Sequence, residues 1–269
     1  MTTSIVLGNA AAVAVLMTVL WLWSLVRRDA SVVDPWWSMG FLMVFARTVA
    51  VTGVTPGKLV LGTAVALWAI RLWLHLLLRA RGKPEDPRYG AFRRKAGQHF
   101  WWVSIFQVFL LQGVLMLIIS APLVIAGAAP VPDPVRWNDM LGAGVWLFGF
   151  VFEAAADAQL TRFRNDPNLR GQVMDRGLWR YSRHPNYFGE TLVMWGLWLC
   201  CVDQPYGWAA VGAPVLMTFM LLRVSGVTML EKQLERSKPG YVQYVMSTSA
   251  FVPLPPRPRA TRATAGPTA

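Results

Sequence analysis

The residues of this chain best suited to chemistry crowd into Trp179-Arg180-Tyr181-Ser182-Arg183-His184-Pro185-Asn186-Tyr187-Phe188-Gly189-Glu190, where polar and aromatic side chains meet the start of an apolar segment. Pro185 suits a first helical turn, because its missing N–H has no intrahelical partner there. Ser182 or His184 is then the cap, and the free amide groups of such a helix start attract an anion. Asn186 and Glu190 are four apart and share a face about one turn inside the boundary. An ionisable group at that depth needs a partner or a polar cavity, and a bound polar ligand would serve both residues. The same residues also fit a simpler role as a headgroup anchor, with Trp179 and Tyr187 as interfacial aromatics and Arg183 on lipid phosphate.

A second set lies upstream. Glu153, Asp157 and Arg164 fall at intervals of four and seven, which places them on one helix face. Two carboxylates one turn apart in an apolar run repel each other, and each costs about 3 kcal/mol to insert, which favours an interior polar site over lipid exposure. A salt bridge to Arg71 or Arg164 would satisfy the same arrangement. The basic stretches Arg79–Lys95 and Thr161–Arg183 could face anionic lipid, or they could grip the phosphates of a large anionic cofactor whose less charged end is held by the helices. His75 stands alone in an apolar run, and with no His/Cys/Asp cluster nearby no metal is expected. Cys200 and Cys201 are adjacent, which gives neither metal-ligand spacing nor a disulfide with each other.

The elements that must position these residues are membrane spans. With 55% hydrophobic and 15% charged residues, the 269-residue chain is too apolar for an ordinary soluble domain. Seven apolar runs approach the roughly 20 residues a bilayer requires: Val6–Val26, Trp36–Val54, Leu59–Leu78, Trp101–Ala126, Met140–Leu160, Tyr187–Cys201 and Trp208–Val224. The first has no basic residue before it and no small-residue cleavage site after it, so it reads as a span and not as a removed signal peptide.

Assigning alternate connections to one side gathers Arg27 and Arg28, seven basic residues in Arg79–Lys95, six in Arg162–Arg183 and seven from Arg223 onward. These make 22 of the 26 Lys and Arg residues. The opposite connections carry only Lys58 and Arg136, a steep positive-inside bias that puts the N-terminus outside, the C-terminus in the cytoplasm and the Arg183–Glu190 segment at the cytoplasmic face. This distribution accounts for the net charge of +12 without nucleic acid. The expected architecture is an all-α polytopic membrane bundle forming one domain over residues 1–256, with a disordered cytoplasmic tail over 257–269. No protein partner is expected.

The run from Asp157 to Glu190, centred on Gly177-Leu178-Trp179-Arg180-Tyr181-Ser182-Arg183-His184-Pro185-Asn186-Tyr187-Phe188-Gly189-Glu190, resembles the bacterial DUF1295 membrane proteins, which are similar to the steroid 5-alpha-reductase C-terminal family. Ser225-Gly226-Val227-Thr228-Met229-Leu230-Glu231-Lys232, with Tyr241, Tyr244 and Val252-Pro253, extends the resemblance over most of the chain. It implies an integral protein of the bacterial inner membrane that takes hydride from NADPH, bound from the cytoplasm, and reduces a carbon–carbon double bond of a lipid-soluble steroid-like, acyl or isoprenoid substrate.

By position, the resemblance makes Asp157, Arg164, Asn186, Glu190, Arg223 and Lys83 cofactor contacts. Arg183, His184, Tyr187 and Glu231 complete that expected set. Glu153 stands in place of an asparagine, Gln172 in place of an arginine, and Trp68 in place of the reductases' catalytic tyrosine. Glu153 and Asp34 are the catalytic candidates. Asp34, beside Trp36 and Trp37, either helps to polarise or protonate the substrate or caps the second helix. Arg183-His184-Pro185-x-Tyr187, followed by Glu231, Tyr241, Tyr244 and Val252-Pro253, is also similar to isoprenylcysteine carboxyl methyltransferases. S-adenosylmethionine is therefore the alternative cofactor, and a non-catalytic lipid-binding membrane protein is the third reading.

Overall fold

The computed structural model describes residues 2–129, 135–224, 231 and 238–257. Among them the protein is helical, with one isolated bridge between Ser182 and Ser249 and no strand. Four helices are long and apolar enough to cross a membrane: Thr3–Arg27, Pro56–Ala80, Pro87–Ile119 and Trp137–Asn165. We number the helices α1 (Thr2–Arg27), α2 (Val33–Thr52), α3 (Pro56–Ala80), α4 (Pro87–Ile119), α5 (Ala121–Gly127), α6 (Trp137–Asn165), α7 (Pro185–Leu199), α8 (Trp208–Val224) and α9 (Tyr241–Ser247). The tail expected from Arg257 lies, from residue 258 onward, outside the described residues.

Local chemistry sets the boundaries. Asp29 accepts from the Ser31 amide at 2.9 Å and starts the short turn that leads into α2, which Gly53 ends at φ 87°. Thr55 caps α3 through the Lys58 amide, and Pro56 occupies its first turn. The apolar pattern places the fourth span from Trp101, with Arg79–Phe100 as a connection, but α4 begins at Pro87. Asp86 accepts from the Arg88 amide at 2.9 Å, and Pro87 is pre-set for the first turn. The charges that suggest a loop are paired: Arg93 with Glu85 at 2.8 Å, and Arg88 with both Asp86 and Asp34. A wider turn at Ile105–Leu110 interrupts α4, and Pro122, which has no N–H to donate, marks the break into α5.

The contacts divide the chain into two compact units: Met1–Ala143 with Gly196–Pro214, and Gly144–Trp195 with Val215–Ala269. In the first, α2 packs along α3 and against α1, and Val13, Met17, Leu20, Val44, Phe109 and Met116 form its core. Several polar groups buried there are satisfied across helices. Asn9 donates to Thr48 at 3.0 Å, Ser38 to the Ala69 carbonyl at 2.9 Å, and the buried Lys58 ammonium to Thr52 and the Gly53 carbonyl, each at 3.2 Å.

In the second unit, α6 and α7 meet backbone to backbone. A Cβ placed on Gly149 would lie 2.7 Å from the Gly189 carbonyl oxygen, and one on Gly189 would lie 2.6 Å from the Glu153 nitrogen. Only glycines permit that approach, which is the small-residue packing that brings membrane helices together.

Candidate functional site

The glycine crossing fixes the polar seam of the second unit. Glu153 and Asp157 follow Gly149 by one and two turns, and both are buried, at 2% and 6% exposure. Asn186, in the first turn of α7, donates its side-chain amide to Asp157 at 3.2 Å. The two residue sets singled out in the sequence therefore face each other. Glu190 and Tyr187 are half-buried on α7, and Arg164 is exposed near the end of α6.

The turn before α7 is held from below. Trp179 is buried and donates its indole N–H to the Ala156 carbonyl at 3.0 Å. The Ser182 hydroxyl accepts from the His184 amide at 3.1 Å and donates to the Phe251 carbonyl at 2.7 Å, so Ser182 caps the turn. The chain after α9 runs alongside. Arg183 donates its amide to the Ser249 carbonyl at 2.8 Å, and Leu254 donates to the Tyr181 carbonyl at 3.0 Å. Tyr244 is buried with its hydroxyl donating to the Trp179 carbonyl, and burial raises its phenol above the ordinary value.

Arg183, His184 and Glu231 form a linked group. Arg183 is bidentate on Glu231, with Nε to Oε1 at 2.6 Å and Nη2 to Oε2 at 3.2 Å. Its Nη1 donates to the Val245 and Thr248 carbonyls at 3.0 and 2.6 Å. His184, only 2% exposed, lies 3.2 Å from Glu231 through Nε2 and stacks on Tyr187 with ring centroids 5.4 Å apart. An ionised Glu231 can only accept, which puts the imidazole proton on Nε2. Burial alone would raise the Glu231 carboxyl, but hydrogen bonds from His184 and Arg183 outweigh it and hold the group below its ordinary value. Three residues expected to touch a cofactor are thus engaged first with one another and the backbone. That arrangement shapes the entrance to α7.

Arg223 is exposed at the end of α8. Lys83 and Asp34 belong to the first unit, Lys83 in the turn after α3. Asp34 stands in the first turn of α2 but caps nothing. It accepts from the Tyr89 hydroxyl at 2.6 Å and from Arg88 at 2.8 Å, and Gln112 donates to Tyr89 at 2.9 Å. Just outside this cluster, burial would raise Glu85, but Arg93 and the Ala30 amide outweigh it and lower the carboxyl. Sequence reasoning misses the Tyr89–Gln112 partnership, which spans 23 residues. It also misses the glycine crossing, although Gly149, Glu153 and Asp157 recur at helical spacing. Among the described residues no three His, Cys, Asp or Glu side chains gather as a metal site.

Four helices long and apolar enough to cross a membrane define a helical integral membrane protein. Residues 20–248 match the model of the family described as DUF1295, protein of unknown function, and the chain belongs to that family. No curated protein and no solved structure matches it.

Proposed function

We propose that this protein is a membrane oxidoreductase that uses NADPH to reduce a carbon–carbon double bond of a lipid-soluble substrate. The observation that carries this reading is the contact of Asn186 with Asp157 in the buried seam beside Glu153. A nicotinamide carboxamide has an N–H₂ group to donate to a carboxylate and a carbonyl to accept from an amide, and Asp157 and Asn186 offer that complement on adjacent helices. The donor and acceptor set fits the cofactor's uncharged end, while Arg164 fits its phosphates. NADPH, when bound, supplies the hydride. Asp157, Asn186, Glu190 and Tyr187 would hold and orient it, and the Arg183–His184–Glu231 group would keep the first turn of α7 in place. Glu153, in the same seam, is the ionisable group proposed to hold a proton for the reduced carbon.

In this reading the chain crosses the bacterial inner membrane seven times, with its N-terminus outside and the cofactor seam at the cytoplasmic face. The one-sided distribution of Lys and Arg supports that orientation. The test is thermal shift of the detergent-purified protein with NADPH and S-adenosylmethionine in parallel. Stabilisation by NADPH is expected, with Asn186→Ala abolishing it. Stabilisation by S-adenosylmethionine alone would instead assign the seam to methyl transfer.

A further inference from the structure

The end of α6 and the loop that follows it enclose a groove of about 390 Å³ that lies wholly within the second unit. Gln159, Arg162, Phe163 and Asp166 form its helix side, at the offsets of three, four and seven that share one face. Asp157 falls on the opposite side of the helix, so the groove is separate from the polar seam. Phe163, Leu169 and Met174 give it an apolar floor, and Arg162 and Arg176 stand over that floor as exposed guanidinium groups. Among the described residues neither guanidinium has a carboxylate within ion-pairing distance.

Position along the helix decides what can reach the groove. α6 is one of the four helices long and apolar enough to cross a membrane. Gly144, Leu147, Phe148, Val151 and Ala158 are exposed on it and form a single stripe. Arg162 continues that stripe five full turns beyond Gly144, about 27 Å along the axis. The hydrocarbon core of a bilayer is about 30 Å thick. An exposed apolar stripe of this length faces acyl chains, and the guanidinium that ends it falls at the level of the headgroups.

The charge at the groove favours an anion. The end of α6 is the negative pole of its helix, so an anion is held only where cations outweigh the dipole. Asp166 adds a carboxylate, one oxygen of which is taken by the Asn168 amide at 2.9 Å. Against these stand Arg162, Arg176 and Lys238, whose ammonium sits 5.8 Å from the centre of the Phe163 ring and is lowered by burial and by Arg164. The groove wall is fixed, because Gln159 accepts from the Leu178 amide at 2.9 Å and Gly177, at φ +57°, leaves room for it.

An apolar floor under two guanidinium groups at headgroup depth selects among the molecules a membrane offers. Inorganic phosphate has no use for the floor. A zwitterionic phospholipid brings its own ammonium towards the arginines. An anionic phospholipid satisfies both parts, with charge-assisted hydrogen bonds to its phosphate and apolar contact below.

We propose that this groove binds an anionic phospholipid of the phosphatidylglycerol class, with its phosphate on Arg162 and Arg176 and the upper part of an acyl chain on the Phe163, Leu169 and Met174 floor. The Arg176 carbonyl accepts from the Trp179 amide at 3.1 Å, so the lipid would tie the turn that leads into α7 to the bilayer. This site does not depend on the NADPH reading.

The test is limited trypsin digestion of the full-length protein in nanodiscs of phosphatidylcholine, with or without phosphatidylglycerol of the same chains. Arg170 is exposed beside the lining residue Leu169, so cleavage after it reports on this groove and not on basic residues elsewhere. Phosphatidylglycerol should slow that cleavage about tenfold in the wild type, as charge-assisted bonds to phosphate imply, and leave it unchanged in Arg162→Gln/Arg176→Gln. Arg180→Gln, which alters an exposed arginine outside the groove lining, should keep the full protection. Equal melting temperatures of the three proteins in phosphatidylcholine alone are the folding control. On the wild type, a large excess of glycerol 1-phosphate, which has the charge without the chains, should not protect Arg170 in phosphatidylcholine.

Protection that survives the double substitution overturns the assignment, as does equal protection of the wild type by phosphatidylcholine. Protection by glycerol 1-phosphate alone also overturns it, because the groove would then be a site for a soluble phosphate.

Discussion

Replacing Gly189 with alanine tests whether the backbone contact of α6 with α7 sets the seam. The new Cβ would lie 2.6 Å from the Glu153 nitrogen, 2.7 Å from the Gly149 oxygen and 2.8 Å from the Glu153 Cα. All three atoms are backbone, so no rotamer change relieves the overlap and the helices must separate. Overpacking of this kind costs about 1–3 kcal/mol, against about 1 kcal/mol returned by alanine's greater helix propensity. Gly144 lies on the same helix as Gly149, but a Cβ there meets nothing within 4 Å. Gly144→Ala should therefore keep the propensity gain alone. The two variants should differ by about 2 kcal/mol, which for a chain of this size is roughly 4–8 °C in melting temperature. Melting of the detergent-purified proteins reads the difference directly. Equal melting temperatures for Gly189→Ala and Gly144→Ala would refute the crossing as the organiser of the seam.

Glu231 should make stability depend on pH. Its carboxyl is held below the ordinary value in the folded chain, so its stabilisation is complete above the ordinary carboxylate range and is lost as pH falls through the lowered value. Between pH 7 and pH 3 the wild type should lose more melting temperature than Glu231→Gln, and parallel curves would exclude the linkage. Tyr244→Phe removes the hydroxyl that donates to the Trp179 carbonyl and should cost about 1–3 kcal/mol, measured as a lower melting temperature and faster proteolysis after Arg176 or Arg180.

The apolar helices are legible in the sequence because each carries its own signal: an apolar run, with Thr55 and Pro56 announcing α3 and Gly53 closing α2. The start of α4 is easily misread because Arg88, Arg93, Arg94 and Lys95 look like a solvated loop. The capping Asp86 and the Pro87 after it hold the better information. On the site side, the two faces, Glu153 with Asp157 and Asn186 with Glu190, follow from helical spacing. Their meeting depends on the glycine contact between helices, which no local pattern specifies. The partners of Arg183 lie 48 to 66 residues away in the chain, so its sequence neighbourhood suggests a ligand contact while its geometry serves the fold.

The strap formed by residues 244–254 also bears on biogenesis. Its hydrogen bonds to Trp179, Tyr181, Ser182 and Arg183 join parts of the chain 62 to 73 residues apart. Nascent chains order local contacts first, and distant ones wait for their second half to be made. The helices can therefore enter the bilayer one after another during synthesis, while the turn that leads into α7 stays unlocked until the strap has left the ribosome. Maturation of the site is a late, post-insertion event, separable in time from membrane integration.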